Sequence, residues 1–164
     1  KIQQRWDKAI KEDDVETLLQ LWSTSSQEID IMSNVIDSFL WAVQKGYAEL
    51  VKALLQDKRV NPFAKNQKAL HEASKNGHVK VVKLLLQDKR VDPSVDDQFA
   101  FRWACRNGHV KVVQMLLHDK RVDPTWDDQF AVRLASGFGF SEIVEVLLKD
   151  ERVDPSVRDQ DALQ

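Results

Sequence analysis

The chain has 164 residues, of which 43% are hydrophobic and 30% are charged, and its formal net charge at pH 7 is −2. These values are typical of a folded, soluble chain, and they exclude a disordered protein and a nucleic-acid binder that acts through bulk charge. The apolar runs are too short to cross a bilayer. The single cysteine, Cys105, excludes an internal disulfide and favours an intracellular, cytoplasmic location.

A Val-Asx-Pro motif recurs four times at intervals of 31 residues, beginning at Val60, Val91, Val122 and Val153. Its surroundings recur with it: an Asp-Lys-Arg triplet precedes the second and third copies, and Asp-Asp-Gln-Phe-Ala follows both. A period between 20 and 50 residues is typical of repeat architectures. We therefore expect an array of similar units, which presents a surface rather than a pocket.

The period divides the chain into six segments. Residues 1–32 form a degenerate first unit with an irregular joint, and residues 156–164 begin a further, truncated unit. The four regular units between them are 33–62, 63–93, 94–124 and 125–155. Because the sequence starts at Lys1 rather than at a methionine, we expect it to be a fragment of a longer chain.

Each unit is predicted to contain two helices, as the unit 94–124 illustrates. Asp92 and Pro93 favour a turn, and Asp96-Asp97 is a candidate N-cap for the first helix. That helix is predicted from the spacing of Phe99, Ala100, Trp103 and Ala104. Gly108 can take the left-handed conformation that ends it. The apolar face of the second helix comprises Val110, Val112, Val113, Leu116 and Leu117.

Neither helix of a unit can bury its apolar face alone, but stacked units can bury both. Small residues recur in the first helices, where they would allow close packing, at Ala42, Ala73, Ala104 and Ala135. The predicted fold class is therefore all-α. We expect a solenoid of stacked helix-turn-helix units, joined by short finger turns between the second helix of one unit and the first helix of the next.

The repeated unit resembles an ankyrin repeat. Ala69-Leu70-His71-Glu72-Ala73 is similar to the latter part of the family's Thr-Pro-Leu-His-x-Ala motif. The segment from Asn76 to Leu86 is similar to the family's Asn-Gly-His-x-x-Val-Val-x-Leu-Leu-Leu segment. The period of 31 is shorter than the roughly 33 residues usual in the family, and Phe99-Ala100 replaces the Thr-Pro pair. These departures indicate a divergent, short-period branch.

The resemblance also assigns roles to the histidines. It implies that His78 and His109 are structural turn residues and that His71 bonds the neighbouring turn. The four histidines lack metal-ligand spacing, and no cysteine pair could complete a zinc site. Cys105 and His109 lie four residues apart, but Cys105 occupies a small-residue packing position. We therefore predict a non-enzymatic protein without a metal, cofactor or small-molecule substrate.

Large aromatic residues stand where other units carry small or polar ones. Trp126 replaces Val95, Phe138 replaces Asn107, and Phe63 replaces a serine or threonine. Exposed aromatic side chains are candidate binding hot spots. The alternative is that Trp126 and Phe138 merely cover the end of the stack. The remaining tryptophans are predicted to lie in the core, and these are Trp6, Trp22, Trp41 and Trp103.

The resemblance implies that a partner protein docks on a concave surface formed by the first helices and fingers. The candidate contact residues are Phe63, Lys65, Gln67, Lys75, Asn76, Asp96, Gln98, Arg106, Asn107, Trp126, Asp127, Gln129 and Phe138. Asn61 is the only asparagine in a Val-Asx-Pro finger, and the family includes members hydroxylated at such an asparagine. We expect the protein to be a monomer, and its partner's identity does not follow from the sequence.

Three functions remain open at this level. The favoured one is a protein-binding module, and the second is a structural spacer within a longer array. The third is weak binding of nucleic acid or anionic lipid through the basic central unit, since residues 63–93 carry seven Lys or Arg and three Asp or Glu. Residues 125–155 carry three basic and seven acidic residues. This uneven charge hints at a partner surface that is acidic in its middle.

Overall fold

The computed structural model describes residues 1–29 and 35–156, except for the side chain of Asn66. Every α-helix and 3₁₀-helix below lies within those ranges. The α-helices are α1 (Ile2–Glu12), α2 (Val15–Ser25), α3 (Ile36–Lys45), α4 (Ala48–Leu55), α5 (Ala64–Lys75), α6 (Val79–Gln87), α7 (Val95–Arg106), α8 (Val110–Leu117), α9 (Trp126–Gly137) and α10 (Ser141–Leu148). A 3₁₀-helix, Ser26–Glu28, follows α2. Residues 30–34 and 157–164, which include part of the irregular joint and most of the truncated last unit, fall outside the described residues.

The helices form two layers. The first helices α3, α5, α7 and α9 pack against one another in chain order, and so do the second helices α2, α4, α6, α8 and α10. Within a unit, the first helix packs on the second. The four recurring alanines of the first helices are completely buried, which brings those helices together: Ala42, Ala73, Ala104 and Ala135. The prediction of an all-α solenoid is confirmed.

A glycine with positive φ follows the first helix of each regular unit. Gly46 comes directly after α3, and Gly77, Gly108 and Gly139 come two residues after the ends of α5, α7 and α9. Gly46 and Gly77 have φ of 77° and 72°, as the sequence predicted for these turns. The first residue after each turn glycine packs against the turn of the preceding unit. His109, for example, donates an Nε2–H hydrogen bond of 2.8 Å to the carbonyl oxygen of Lys75. His78 makes the equivalent bond of 2.7 Å to Gln44. Both histidines therefore join consecutive units.

An Asp-x-Arg pair closes each unit after its second helix. In the pair Asp119 and Arg121, the guanidinium contacts the carboxylate at 2.6 Å, and the same contact recurs in the other three units. Arg121 also donates a hydrogen bond of 2.9 Å to the carbonyl oxygen of Val91, one unit back. Arg90 and Arg152 bond Val60 and Val122 in the same way. The recurring triplet is thus a link between units.

These pairs should make the protein sensitive to acid. Hydrogen bonds from the arginines hold the pKa of Asp57, Asp88, Asp119 and Asp150 below the ordinary value of 3.8. Because the folded-state pKa is the lower one, the ionised pairs stabilise the fold above the unfolded-state pKa. That stabilisation is lost as the pH falls through the folded-state pKa.

We expect the free energy of unfolding, measured by urea titration, to decline below about pH 4. The decline should be shallower in a double variant, Asp88→Asn with Asp119→Asn, which has fewer carboxylates to protonate. Asp97→Asn, at an exposed carboxyl outside the pairs, is the control. Identical pH slopes for the wild type and the double variant would contradict the assignment.

The finger turns differ from the prediction. Asp96 and Asp97 do not cap α7. They and Gln98 have left-handed backbone, with φ of 51°, 56° and 61°. The same conformation recurs at Asp127 to Gln129. Turn capping falls instead to the aspartate of the Val-Asx-Pro motif, since the Asp92 carboxylate accepts a hydrogen bond of 3.0 Å from the backbone N–H of Ser94. The N-cap prediction for Asp96-Asp97 is therefore wrong.

Tryptophans anchor the N-terminal helices to the array. Trp6 is fully buried, and its indole N–H donates a 2.9 Å hydrogen bond to Ser38 Oγ in α3. Trp22 is buried beside it and donates to the carbonyl oxygen of Ala53 at 3.2 Å. The core prediction is confirmed for these two. Trp41 is half-buried and packs against the core. Trp103 is half-buried and is not among the residues packed against the core, so the prediction is wrong for Trp103.

Candidate functional site

The candidate site lies on the exposed side of the first helices, with α7 at its centre. The side of α7 that is buried carries Ala100, Phe101, Ala104 and Cys105. The opposite side carries Phe99, Arg102, Trp103 and Arg106, at spacings of three, four and seven residues. The amphipathic pattern predicted for this helix is therefore rotated. Phe99 and Trp103 were expected to face the core, but they lie at the surface.

Cations surround Trp103. Lys75 from α5 places its Nζ 5.2 Å from the centre of the indole ring, and the Arg106 guanidinium lies 5.0 Å from it. Phe99 also packs against Trp103, with ring centroids 5.6 Å apart. Lys75 and Arg106 occupy the same position in consecutive units, 31 residues apart. Two neighbouring units thus each place a positive charge close to the ring of one tryptophan.

A second cluster joins α7 to α9. The Arg102 guanidinium lies 4.7 Å from the ring of Trp126 and 5.8 Å from the ring of Phe130. The two rings meet edge to face at 6.2 Å. The Nε of Arg102 is buried and has no hydrogen-bond partner in the described part of the chain. Stacking therefore fixes this guanidinium while much of its hydrogen-bonding capacity remains unused.

We call these seven residues the aromatic–cation face. They are Lys75, Phe99, Arg102, Trp103, Arg106, Trp126 and Phe130. Three of them belong to the predicted contact set, namely Lys75, Arg106 and Trp126. Trp126 is half-buried rather than fully exposed, because it covers the guanidinium of Arg102. The aromatic–cation face combines residues of three consecutive units, on α5, α7 and α9.

His71 and Asp96 border this face on the finger side. The His71 ring stacks on Phe99 at 4.4 Å, and its Nε2 lies 3.8 Å from an Asp96 carboxylate oxygen. Burial lowers the pKa of His71, and the nearby charge of Asp96 partly opposes that shift. His71 Nε2 has no hydrogen-bond partner within the described residues. The expectation that His71 bonds the neighbouring turn is therefore wrong.

Several predicted contact residues lie at the margins of the face. Asn76 and Asn107 are exposed, but each amide already bonds a backbone carbonyl, that of Glu72 at 2.8 Å and that of Lys75 at 2.7 Å. Phe138 is 52% exposed and stacks on Phe140 with ring centroids 5.9 Å apart. It extends the exposed aromatic surface to the last described unit.

The remaining exposed candidates belong to the fingers. Phe63 is 46% exposed, at the start of its unit. Lys65 forms an ion pair with Asp37 of the preceding unit. Asp127 is exposed, and its carbonyl oxygen accepts a 3.2 Å hydrogen bond from Arg133. The fingers thus contribute charges next to the face, and their acidic residues lie at one end of it.

Three predicted contact residues have a structural role instead. Gln67 and Gln98 are buried, and Gln129 is half-buried. The side-chain oxygen of each accepts a hydrogen bond from the backbone N–H of the next motif aspartate, such as the 2.7 Å bond from Asp92 to Gln67. The assignment of Gln67 and Gln98 to an exposed binding surface is wrong. All three glutamines hold one finger against the next.

The described residues give little support for a reactive cysteine, a metal site or a membrane-spanning helix. Cys105 is completely buried, and burial raises the pKa of its thiol, which disfavours the reactive thiolate. Within residues 1–29 and 35–156, no group of three or more His, Cys, Asp or Glu side chains is placed to hold a metal ion. None of the described helices combines the length and apolar character needed to cross a membrane.

Sequence analysis missed Phe99, Arg102, Trp103 and Phe130 as site residues. A signal for Trp103 was present, because the preceding unit carries Glu72 at the same position. A position that accepts glutamate in one copy of a repeat lies outside the fully buried core, and both Glu72 and Trp103 are half-buried. For Arg102, the signal was an arginine at the position that His71 occupies one unit earlier.

The chain matches a protein-family model. The family model described as ankyrin repeats, in three copies, matches residues 8–97 and again residues 39–128. Together these matches cover well over half of the chain, including α2 to α8 and most of the aromatic–cation face. No curated protein matches the chain.

Proposed function

The chain belongs to the ankyrin repeat family, whose repeats are generally protein–protein interaction modules, and from this premise we propose that it binds a partner protein through the aromatic–cation face. The observation that carries the proposal is that Trp103 lies half-buried at the surface, with Lys75 and Arg106 both close to its ring. Tryptophan and arginine are the residues most enriched in binding hot spots. An indole is not required at this position in every unit, since Glu72 fills it one unit earlier.

The repeat itself supplies substitutions that we expect to remove the surface and to preserve the fold. Trp103→Glu, Trp126→Val and Phe138→Asn each introduce the residue found at the same position in another unit, namely Glu72, Val95 and Asn107. The three changes combined form the face variant. A matched control carries Lys80→Gln and Lys111→Gln, at two exposed positions on the second helices α6 and α8.

We expect affinity capture from the source cells to recover a partner protein with the wild type and with the control, but not with the face variant. Far-ultraviolet circular dichroism and a thermal melt establish that all three proteins are folded. Recovery of the same proteins on every bait would contradict the proposal. If no bait captures a protein, the alternative of a structural spacer within a longer array is favoured.

A further inference from the structure

We propose that the partner segment is an extended acidic peptide whose carboxylates meet Lys75, Arg102 and Arg106. This inference rests on the proposed function and specifies the chemistry of the ligand. Two groups of cations in the structure differ in their partners. The arginines that close the units are all paired with an aspartate two residues earlier, as in Asp88 with Arg90.

The three cations of the face are not paired in this way. Among the ion pairs between described residues, none includes Lys75, Arg102 or Arg106. They rest on aromatic rings instead, at 4.7 to 5.2 Å. Ring stacking holds a guanidinium in place while leaving N–H groups available for a carboxylate. The face therefore offers three positive charges without internal counter-charges.

The spacing of the cations suits an extended chain. Lys75 and Arg106 belong to adjacent packed helices, α5 and α7, whose axes are separated by about 8–10 Å in typical helix packing. An extended peptide in the polyproline II conformation has three residues per turn and advances about 3.1 Å per residue, so side chains three residues apart lie on the same face, about 9 Å apart. Carboxylates at every third residue would thus reach consecutive units. Residues between them would contact the indole of Trp103.

The finger end of the face disfavours a polyanion such as a nucleic acid. Asp96, Asp97, Asp127 and Asp128 are exposed there, and Asp96 lies within 3.8 Å of His71, which itself stacks on Phe99. A nucleic acid has a charge on every nucleotide and would meet this repulsion along its length. A peptide can place a few carboxylates at the cations and neutral or basic residues near the aspartates. An acidic peptide therefore fits the charge pattern better.

The test is fluorescence polarisation with a labelled peptide of four Glu-Leu-Ser triplets. Its control is the same peptide with glutamine in place of each glutamate. The binding variant combines Arg102→His and Arg106→Gln, which are the residues at these positions in other units, His71 and Gln44. The matched protein control is again Lys80→Gln with Lys111→Gln, which removes the same number of positive charges from the second helices.

We expect the glutamate peptide to bind the wild type and the control equally, and the Arg102, Arg106 variant about tenfold or more weakly. Affinity for the wild type should fall as the ionic strength rises. The proposal is overturned if the glutamate peptide does not bind, if the glutamine peptide binds as tightly, or if the control loses as much affinity as the variant. Tighter binding of single-stranded oligothymidine than of the peptide overturns it in favour of a nucleic acid.

Failure of this inference can be told apart from failure of the proposed function. A protein captured by the wild type and lost from the face variant, together with no affinity for the glutamate peptide, would retain the binding module and reject the acidic ligand. Loss of the captured partner from the control as well would reject the face itself.

Discussion

Replacing Gly77 with alanine is expected to destabilise the protein by about 2–4 kcal/mol, clearly more than the same change at Gly139. Both glycines have positive φ, 72° and 73°, so alanine is strained at either position. At Gly77, however, a Cβ atom would lie 2.5 Å from Nδ1 of His109, whereas nothing lies within 4 Å at Gly139. The added methyl must therefore displace the His109 ring and weaken its bond to Lys75.

Urea titration of the two single variants measures this difference, with an expected cost of about 1–2 kcal/mol for Gly139→Ala alone. A double-mutant cycle with His109→Ala isolates the contact with the ring. In the His109→Ala background, Gly77→Ala should be no more destabilising than Gly139→Ala is in the wild type. Equal effects of the two glycine substitutions in the wild type would show that the His109 ring adds no steric cost to a side chain at residue 77.

Replacing Trp6 with alanine is expected to cost about 3–5 kcal/mol and to release α1 and α2 from the array. The indole is fully buried, packs 5.7 Å from the ring of Trp22 and donates to Ser38 in α3. Because a unit in a solenoid contacts only its neighbours, the loss should remain at one end. Hydrogen exchange should increase in α1 and α2, with little change from α5 to α10.

Trp6→Phe is the matched control, since it keeps a large buried ring and removes the indole N–H. We expect it to cost only about 1–2 kcal/mol and to leave the exchange pattern close to that of the wild type. If Trp6→Ala accelerated exchange equally in all helices, the array would unfold as a single cooperative unit. The local nature of the Trp6 anchor would then be wrong.

The helical solenoid could be predicted because its determinants are local and recur. The interval between copies of Val-Asx-Pro, the turn glycines and the buried alanines can all be identified along the chain. The links between units could not be predicted in the same way. The bond from Arg121 to Val91 depends on how two units stack, which sequence spacing does not specify.

The first turn of α7 was mispredicted for a related reason. Asp96-Asp97 has the composition of an N-cap, but the finger has a second aspartate four residues before Asp96 that can cap the turn. Asp92 makes that contact, and the backbone at Asp96 then follows a left-handed path that brings Gln98 to the N–H of Asp123. Local preference was overridden by a hydrogen bond to the next unit.

The candidate site was predicted only in part, because helical periodicity defines an apolar stripe but not the exact direction it faces. Phe99 and Trp103 continue the stripe of Ala100 and Ala104, so the sequence could not separate the two sides of α7. A comparison of equivalent positions in neighbouring units separates the two sides better. Glu72, at the position of Trp103 one unit earlier, indicates that this side is not part of the buried core.

The bonds between units also bear on how such a chain can change in length. Arg90 reaches back 30 residues to Val60, and Arg121 reaches back the same distance to Val91. The bonds that bring Asp92 to Gln67 and Asp123 to Gln98 each span 25 residues. Duplication or deletion of one complete 31-residue segment would therefore re-create the same contacts at the new junction. Evolution by unequal recombination could lengthen or shorten the array in whole units, while an insertion of any other length would place these partners out of register.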